Sequence, residues 1–69
     1  MDAVEKEINS RRGEIIKEVE LLFKANMKFV DWDVPEADDR KAGKLIISIM
    51  KEAIEKIERD IEAGEYDNY

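Results

Sequence analysis

The chain contains no cysteine and no histidine. Without cysteine it can form neither a disulfide nor a thiolate metal site, and this absence is typical of proteins in a reducing compartment. The thiol nucleophile and the commonest general base are missing, so Ser10 and Ser48 have no histidine to activate them. We therefore expect no catalytic residue, no cofactor-binding residue and no metal ligand, and we interpret the chain as a non-enzyme.

Proline occurs once and glycine three times among the 69 residues. The glycines are isolated, so they form no phosphate-binding loop. Charged residues interrupt every apolar run, and we therefore expect neither a signal peptide nor a membrane span, and a cytoplasmic location. Few helix breakers, together with much Ala, Glu, Lys, Ile and Arg, predict long helices.

Basic residues are fewer than acidic ones, and the net charge is −6. Residues 31–39 carry five acids and no base, residues 40–54 carry four bases and one acid, and residues 55–69 carry six acids and two bases. Nucleic-acid binding depends on neutralising phosphates with Lys and Arg. Direct binding of nucleic acid through the basic segment 40–54 is therefore not expected, because acidic segments flank it.

Apolar residues recur at helical spacing in two long stretches. The pattern predicts helix 1 at about 3–30, an acidic turn at 31–34, and helix 2 at about 35–63. Asp2 is expected to cap helix 1, Asp33 or Val34 to cap helix 2, and Gly64 to end it. Residues 1–64 are then one domain, and residues 65–69 are a flexible polar tail.

The predicted fold class is all-α, an antiparallel hairpin of two long helices. Folding the chain at the turn brings Leu22 and Phe23 opposite Ala42 and Gly43, large residues against small ones. It also pairs Val19 with Ile46, Ile15 with Met50 and Ile8 with Ile57, and it places Ile46 and Ile49 in the core. The same register brings Arg11 and Arg12 level with the second half of helix 2. We expect one of them to form an ion pair with an acidic residue there, the candidates being Glu55, Glu58 and Glu62.

Both apolar faces are wider than the contact between two helices requires. The simplest way to cover them is a homodimer that forms a four-helix bundle, and the next is docking on a larger protein. The predicted protein interface consists of the surplus apolar residues and one asparagine: Ile16, Phe23, Asn26, Val30, Leu45, Ile47 and Ile54. Asn26 reaches water or a loop carbonyl, or it pairs with its symmetry mate and fixes the register.

The acidic turn is the second candidate surface, and its residues are Asp31, Trp32, Asp33, Glu36, Asp38 and Asp39. A calcium loop is not expected, because Pro35, Glu36 and Ala42 occupy positions where an EF-hand needs a ligand, a glycine and a glutamate. Trp32 is expected to pack over the end of the hairpin, with a role as a binding anchor as the alternative.

The leading functional hypothesis is a small non-catalytic interaction protein: a regulator, inhibitor or adaptor that acts by protein–protein binding. Its partner is a second copy, a larger protein, or both. One alternative is an acidic, phage-type inhibitor that mimics nucleic acid and binds a DNA- or RNA-processing enzyme. Another is a Mg²⁺-dependent enzyme that uses Glu-x-x-Glu pairs in a helical bundle, although those glutamates fall on the solvent face.

Overall fold

The computed structural model describes residues 2–34, 36 and 38–69. These residues form three helices: α1 (Ala3–Ser10), α2 (Arg12–Asp33) and α3 (Asp39–Glu62). Within these ranges there is no strand, so the prediction of an all-α chain is confirmed. None of the described helices is both long enough and apolar enough to cross a membrane.

The predicted first helix, at about 3–30, is two helices that meet at Arg11. The side chain of Asp2 caps α1 by accepting a hydrogen bond from the Glu5 amide at 2.8 Å. At its other end the Ser10 hydroxyl donates to the Glu7 carbonyl at 2.7 Å, and the Arg11 amide donates to Ile8. Arg11 itself leaves helical geometry, with φ −100° and ψ 3°. Serine side chains compete with the helix in this way, so the break has a local cause.

The connection between α2 and α3 lies later in the chain than predicted. α2 continues to Asp33, and Val34 leaves helical geometry with φ −133° and ψ 80°, since the helical region is disfavoured for a residue before proline. Asp38 caps α3 by accepting from the amides of Arg40 and Lys41 at 3.0 and 3.2 Å. The turn at 31–34 and the cap at Asp33 or Val34 were therefore wrong. The expected place of Pro35 in a first helical turn lies outside the described residues.

α2 and α3 pack against each other around Gly43. The ring of Phe23 reaches within 3.5 Å of the position that a Cβ would take on Gly43, and the sulfur of Met27 lies 4.0 Å from that position. The predicted pairing of Phe23 with Gly43 is thus confirmed, and Ala42 beside it is the buried residue of the described chain. The antiparallel hairpin and the four-helix bundle remain predictions.

Few apolar side chains join this packing. Those that are half-buried lie between residues 23 and 50: Phe23, Met27, Val30, Ile46 and Met50. Towards the other ends of α2 and α3 the large apolar residues stay exposed. The single chain therefore has a small packed region near the α2–α3 connection, and the apolar faces of both helices are exposed beyond it.

Gly64 ends α3 as predicted. Its φ is +84°, a conformation that L side chains rarely adopt. Its amide donates to Ile61 at 3.0 Å, and the Glu65 amide donates to Asp60 at 2.9 Å. These two bonds form a Schellman motif, which satisfies carbonyl groups that the helix end would leave free.

We expect Gly64→Ala to lower the free energy of unfolding by about 1 kcal/mol, because a side chain is strained at this positive φ. Gly13→Ala is the matched control. Nothing lies within 4 Å of a Cβ at Gly13, so this change should be neutral or stabilising by up to about 1 kcal/mol. Urea unfolding of both variants measures the difference, and equal effects would contradict the role of Gly64.

The segment after Gly64 forms turns. The amide of Asp67 donates to Gly64 at 3.2 Å, and that of Tyr69 donates to Tyr66 at 3.3 Å. The two tyrosine rings have their centroids 5.6 Å apart. The flexibility expected for residues 65–69 stays a prediction.

Candidate functional site

The seven predicted interface residues divide into two groups. Phe23 and Val30 are half-buried, and Phe23 belongs to the packing of α2 against α3. The other five are exposed in the single chain: Ile16, Asn26, Leu45, Ile47 and Ile54. Most of the predicted interface is therefore open surface on the single chain.

More apolar residues are exposed than the seven that were predicted to form the interface. It also includes residues expected to be packed within the hairpin, and these are Ile8, Ile15, Val19, Ile49 and Ile57. Ile49 alone keeps 64% of its surface exposed. Their helical spacing identified them as apolar-face residues, but spacing cannot tell which part of a face the neighbouring helix covers.

Asn26 makes a hydrogen bond within its own helix. Its Nδ2 donates to the Leu22 carbonyl at 2.9 Å. Neither a loop carbonyl nor a symmetry mate is needed to satisfy this donor. Pairing of Asn26 between two copies therefore stays a prediction.

A groove of about 560 Å³ runs along α3 beside Phe23. Its apolar lining comes from Phe23, Gly43 and Ile47. Its polar lining is mostly cationic and consists of Arg40, Lys44, Lys51, Ser48 and Asp39. Sequence reasoning did not identify this groove as a site, although the basic run at 40–51 is visible in the sequence. The groove pairs an apolar floor with a basic rim, which suits an acidic amphipathic segment.

The acidic turn brings two carboxyl groups together across the α2–α3 connection. Hydrogen bonding with the side chain of Asp31 raises the pKa of Asp39, and the charges of Asp31 and Asp38 act in the same direction. Asp38 itself is occupied in capping α3. Asp31 also lies in the last turn of α2, where the helix dipole disfavours a negative charge. At neutral pH this end of the molecule therefore carries electrostatic repulsion.

We expect Asp31→Asn to raise the melting temperature at pH 7. A raised folded-state pKa means that the shared proton stabilises the fold below the ordinary pKa of 3.8, and that this stability is lost as pH rises through the folded pKa. The amide of the variant can donate to the Asp39 carboxylate without a second charge. The gain in melting temperature should therefore shrink between pH 7 and pH 3.

Asp33→Asn is the control for this prediction. It removes the same charge from the last turn of α2 but leaves the carboxyl pair intact. Thermal unfolding of both variants from pH 3 to pH 7 separates the two effects. If the two variants showed the same pH profile, the helix dipole alone would explain the gain.

No protein-family model, curated protein or solved structure matches this chain. Interpretation of its function therefore depends on its own residues and geometry.

Trp32 does not pack over the ends of the helices as expected. Its side chain is 84% exposed. Together with Ala25, Lys28 and Phe29 it lines a small, mostly apolar surface on α2. The spacing of these residues, every three or four positions, is that of one helix face. The alternative role of Trp32 as a binding anchor remains a prediction.

The ion pairs in the described part of the chain are local. Arg11 contacts Glu14 at 3.3 Å, and Lys56 contacts Asp60 at 2.8 Å. The expected pairing of Arg11 or Arg12 with the second half of α3 is not formed, because α2 and α3 pack tightly only near their connection. The candidate partners Glu55, Glu58 and Glu62 therefore keep their charge open, whereas Asp60 is paired with Lys56.

Among the residues that the structure describes, no group of three or more acidic side chains is placed to hold a metal ion. This includes the described residues of the acidic turn: Asp31, Asp33, Glu36, Asp38 and Asp39. The chemical features of the surface are thus its apolar faces, its basic groove and its acidic helix end.

Proposed function

We propose that this chain is a small, non-catalytic helical interaction protein that acts by protein–protein binding. Its exposed apolar faces are the binding surface. The first partner is a second copy, with two antiparallel hairpins forming a four-helix bundle, and a larger protein can be bound by the outer surface of that bundle. The proposed location is the cytoplasm, on the strength of a cysteine-free composition.

The observation that carries the proposal is the area of exposed surface. The chain exposes 6506 Å². A compact monomer of 8.1 kDa is expected to expose about 4,500 Å². The excess of about 2,000 Å² per chain is in the range that obligate dimer interfaces bury.

The chemical nature of this excess supports a protein partner. Large apolar side chains on α2 and α3 remain about half exposed, among them Ile15, Val19, Leu22, Ile54 and Ile61. Exposed apolar side chains that recur along a helix face normally mark an interaction site. Because both helices carry it, a bundle in which each chain covers the other accounts for more of it than docking through one helix.

The acidic mimic of nucleic acid has less support. A mimic needs free carboxylates in a phosphate-like array, but Asp38 is occupied in capping α3. The basic run at 40–51 directly follows and offsets the charge. We therefore rank this alternative below protein binding through the apolar faces.

The test is the molar mass in solution, measured by size-exclusion chromatography with light scattering at low and high salt. We expect a dimer that persists in high salt, since apolar burial is not screened. The melting temperature should rise with protein concentration, because dissociation accompanies unfolding. A monomer that unfolds cooperatively at all concentrations would contradict self-association.

A further inference from the structure

α3 carries a heptad pattern on a face that α2 covers only in part. Its apolar positions alternate in steps of four and three residues, and glycine occupies the first of them: Gly43, Ile47, Met50, Ile54, Ile57 and Ile61. This is the a/d spacing of a coiled-coil seam. Ile54 and Ile61 are each more than half exposed in the single chain. The seam thus continues beyond the region that α2 covers.

The charges beside this seam change sign along the helix. Residues 40–51 hold four bases and no acid, whereas residues 52–62 hold five acids and two bases. A single helix favours the opposite order, because its N-terminus is the positive end of the dipole and its C-terminus the negative end. Lys44 is also one turn from Arg40, and Glu58 is one turn from Glu62, so like charges lie close together.

We propose that α3 pairs with α3 of a second copy in antiparallel orientation, about a two-fold axis near residues 51–52. Lys44 of each chain then lies beside Glu58 of the other. In the seam, Ile47 meets Ile57 of the second copy and Met50 meets Ile54. The basic half of each helix covers the acidic half of its partner, which offsets both unfavourable dipole interactions at once. This proposal rests on the proposed function and adds the geometry of its interface.

The groove beside Phe23 accommodates this partner. In the same register Ile61 of the second copy reaches the groove at Gly43, beside the Phe23 ring that packs on this glycine. Lys44 lies on the rim of this groove, where Glu58 of the second copy approaches it. An acidic amphipathic helix end is thus what the groove fits by shape and by charge, and α3 of a second copy supplies one.

The experiment exchanges the two charges. Lys44→Glu and Glu58→Lys are made singly and together, and the dimer dissociation constant is measured by sedimentation at about 0.05 M salt, where screening is weak. Each single change replaces two attractions per dimer by two repulsions, so we expect dissociation constants about tenfold higher. The double variant should return to the wild-type value. Equimolar mixing of the two single variants should also restore dimerisation.

Lys41→Glu is the matched control. It makes the same charge change three residues from Lys44, but Lys41 does not line the groove. Its dissociation constant should stay within about twofold of wild type, as for an exposed charge. Lys51 is less suitable for exchange, because it lies near the two-fold axis and faces its own symmetry mate.

The outcomes separate the two proposals. In an isolated chain each single change replaces a like-charge pair by an opposite-charge pair, Lys44 with Arg40 or Glu58 with Glu62, so neither should destabilise a monomer. A dimeric wild type whose single variants dimerise equally well, or do not recover on mixing, would overturn the antiparallel α3 geometry alone. A monomeric wild type would overturn self-association as well, leaving the groove to a different protein.

Discussion

Replacing Ile46 with aspartate is expected to abolish cooperative thermal unfolding. Ile46 is half-buried and lies on α3 one turn from Ala42, the buried residue of the described chain. A carboxylate there loses its hydration without gaining a partner, at a cost of about 3–5 kcal/mol. The total stability of a chain of this size is about 3–10 kcal/mol. Circular dichroism should then show a broad thermal change in place of a transition.

Leu21→Asp is the control for Ile46→Asp. Leu21 is 54% exposed, and helical periodicity puts it on the side of α2 away from Phe23. An aspartate at this position should cost no more than about 1 kcal/mol, mainly through helix propensity. If Ile46→Asp melted as cooperatively as Leu21→Asp, the packing of α2 against α3 would not be the core of the fold.

Replacing Ile54 with aspartate is expected to dissociate the dimer. Ile54 is 51% exposed in the single chain, so the change costs the monomer little. In the proposed dimer it is buried against the second copy, where an unpaired carboxylate costs about 3 kcal/mol or more at each of two sites. The dissociation constant should rise at least about a hundredfold. Light scattering should report the molar mass of one chain at micromolar concentration.

The contrast between the two aspartate variants is informative. Ile46→Asp acts on packing within one chain, whereas Ile54→Asp acts on packing between chains. For Ile54→Asp the melting temperature should fall and lose its dependence on concentration, while Leu21→Asp keeps that dependence. A dimer that survives Ile54→Asp would contradict the assignment of α3 to the interface.

The helical class and two details of the fold could be predicted because they depend on local chemistry. Apolar spacing marked the helices, and the glycine that ends α3 lies where a left-handed residue is needed. The contact of Phe23 with Gly43 is formed although the connection lies later in the chain than predicted, since a large residue needs space opposite it.

The start of α3 was missed because several residues compete for one role. Asp33 and Asp38 are both suitable N-caps, and sequence alone does not rank them. The residue before a proline favours extended geometry, which explains why α2 stops before Val34. The break at Arg11 carried a weaker signal, with Asn9 and Ser10 of low helix propensity followed closely by Gly13.

The groove was missed for a different reason. Its charges are distributed along α3, but its apolar floor needs a ring from α2. Periodicity on one helix cannot show which side chains of another helix stand beside it. The heptad steps of α3 and its change of charge sign are visible in the sequence, yet they indicate a partner only once the structure shows that α2 leaves that face open.

The exposure of Trp32 gives the protein its own optical reporter. It is the single tryptophan of the chain, so its fluorescence can be assigned without labelling. An indole so open to water should emit at long wavelength and be quenched readily by acrylamide, which is neutral and is not repelled by the neighbouring aspartates. The α3 pairing leaves this side of α2 uncovered, so dimer formation should not shift the emission. A shift to shorter wavelength on adding another protein would therefore report a second contact surface, occupied at the same time as the first.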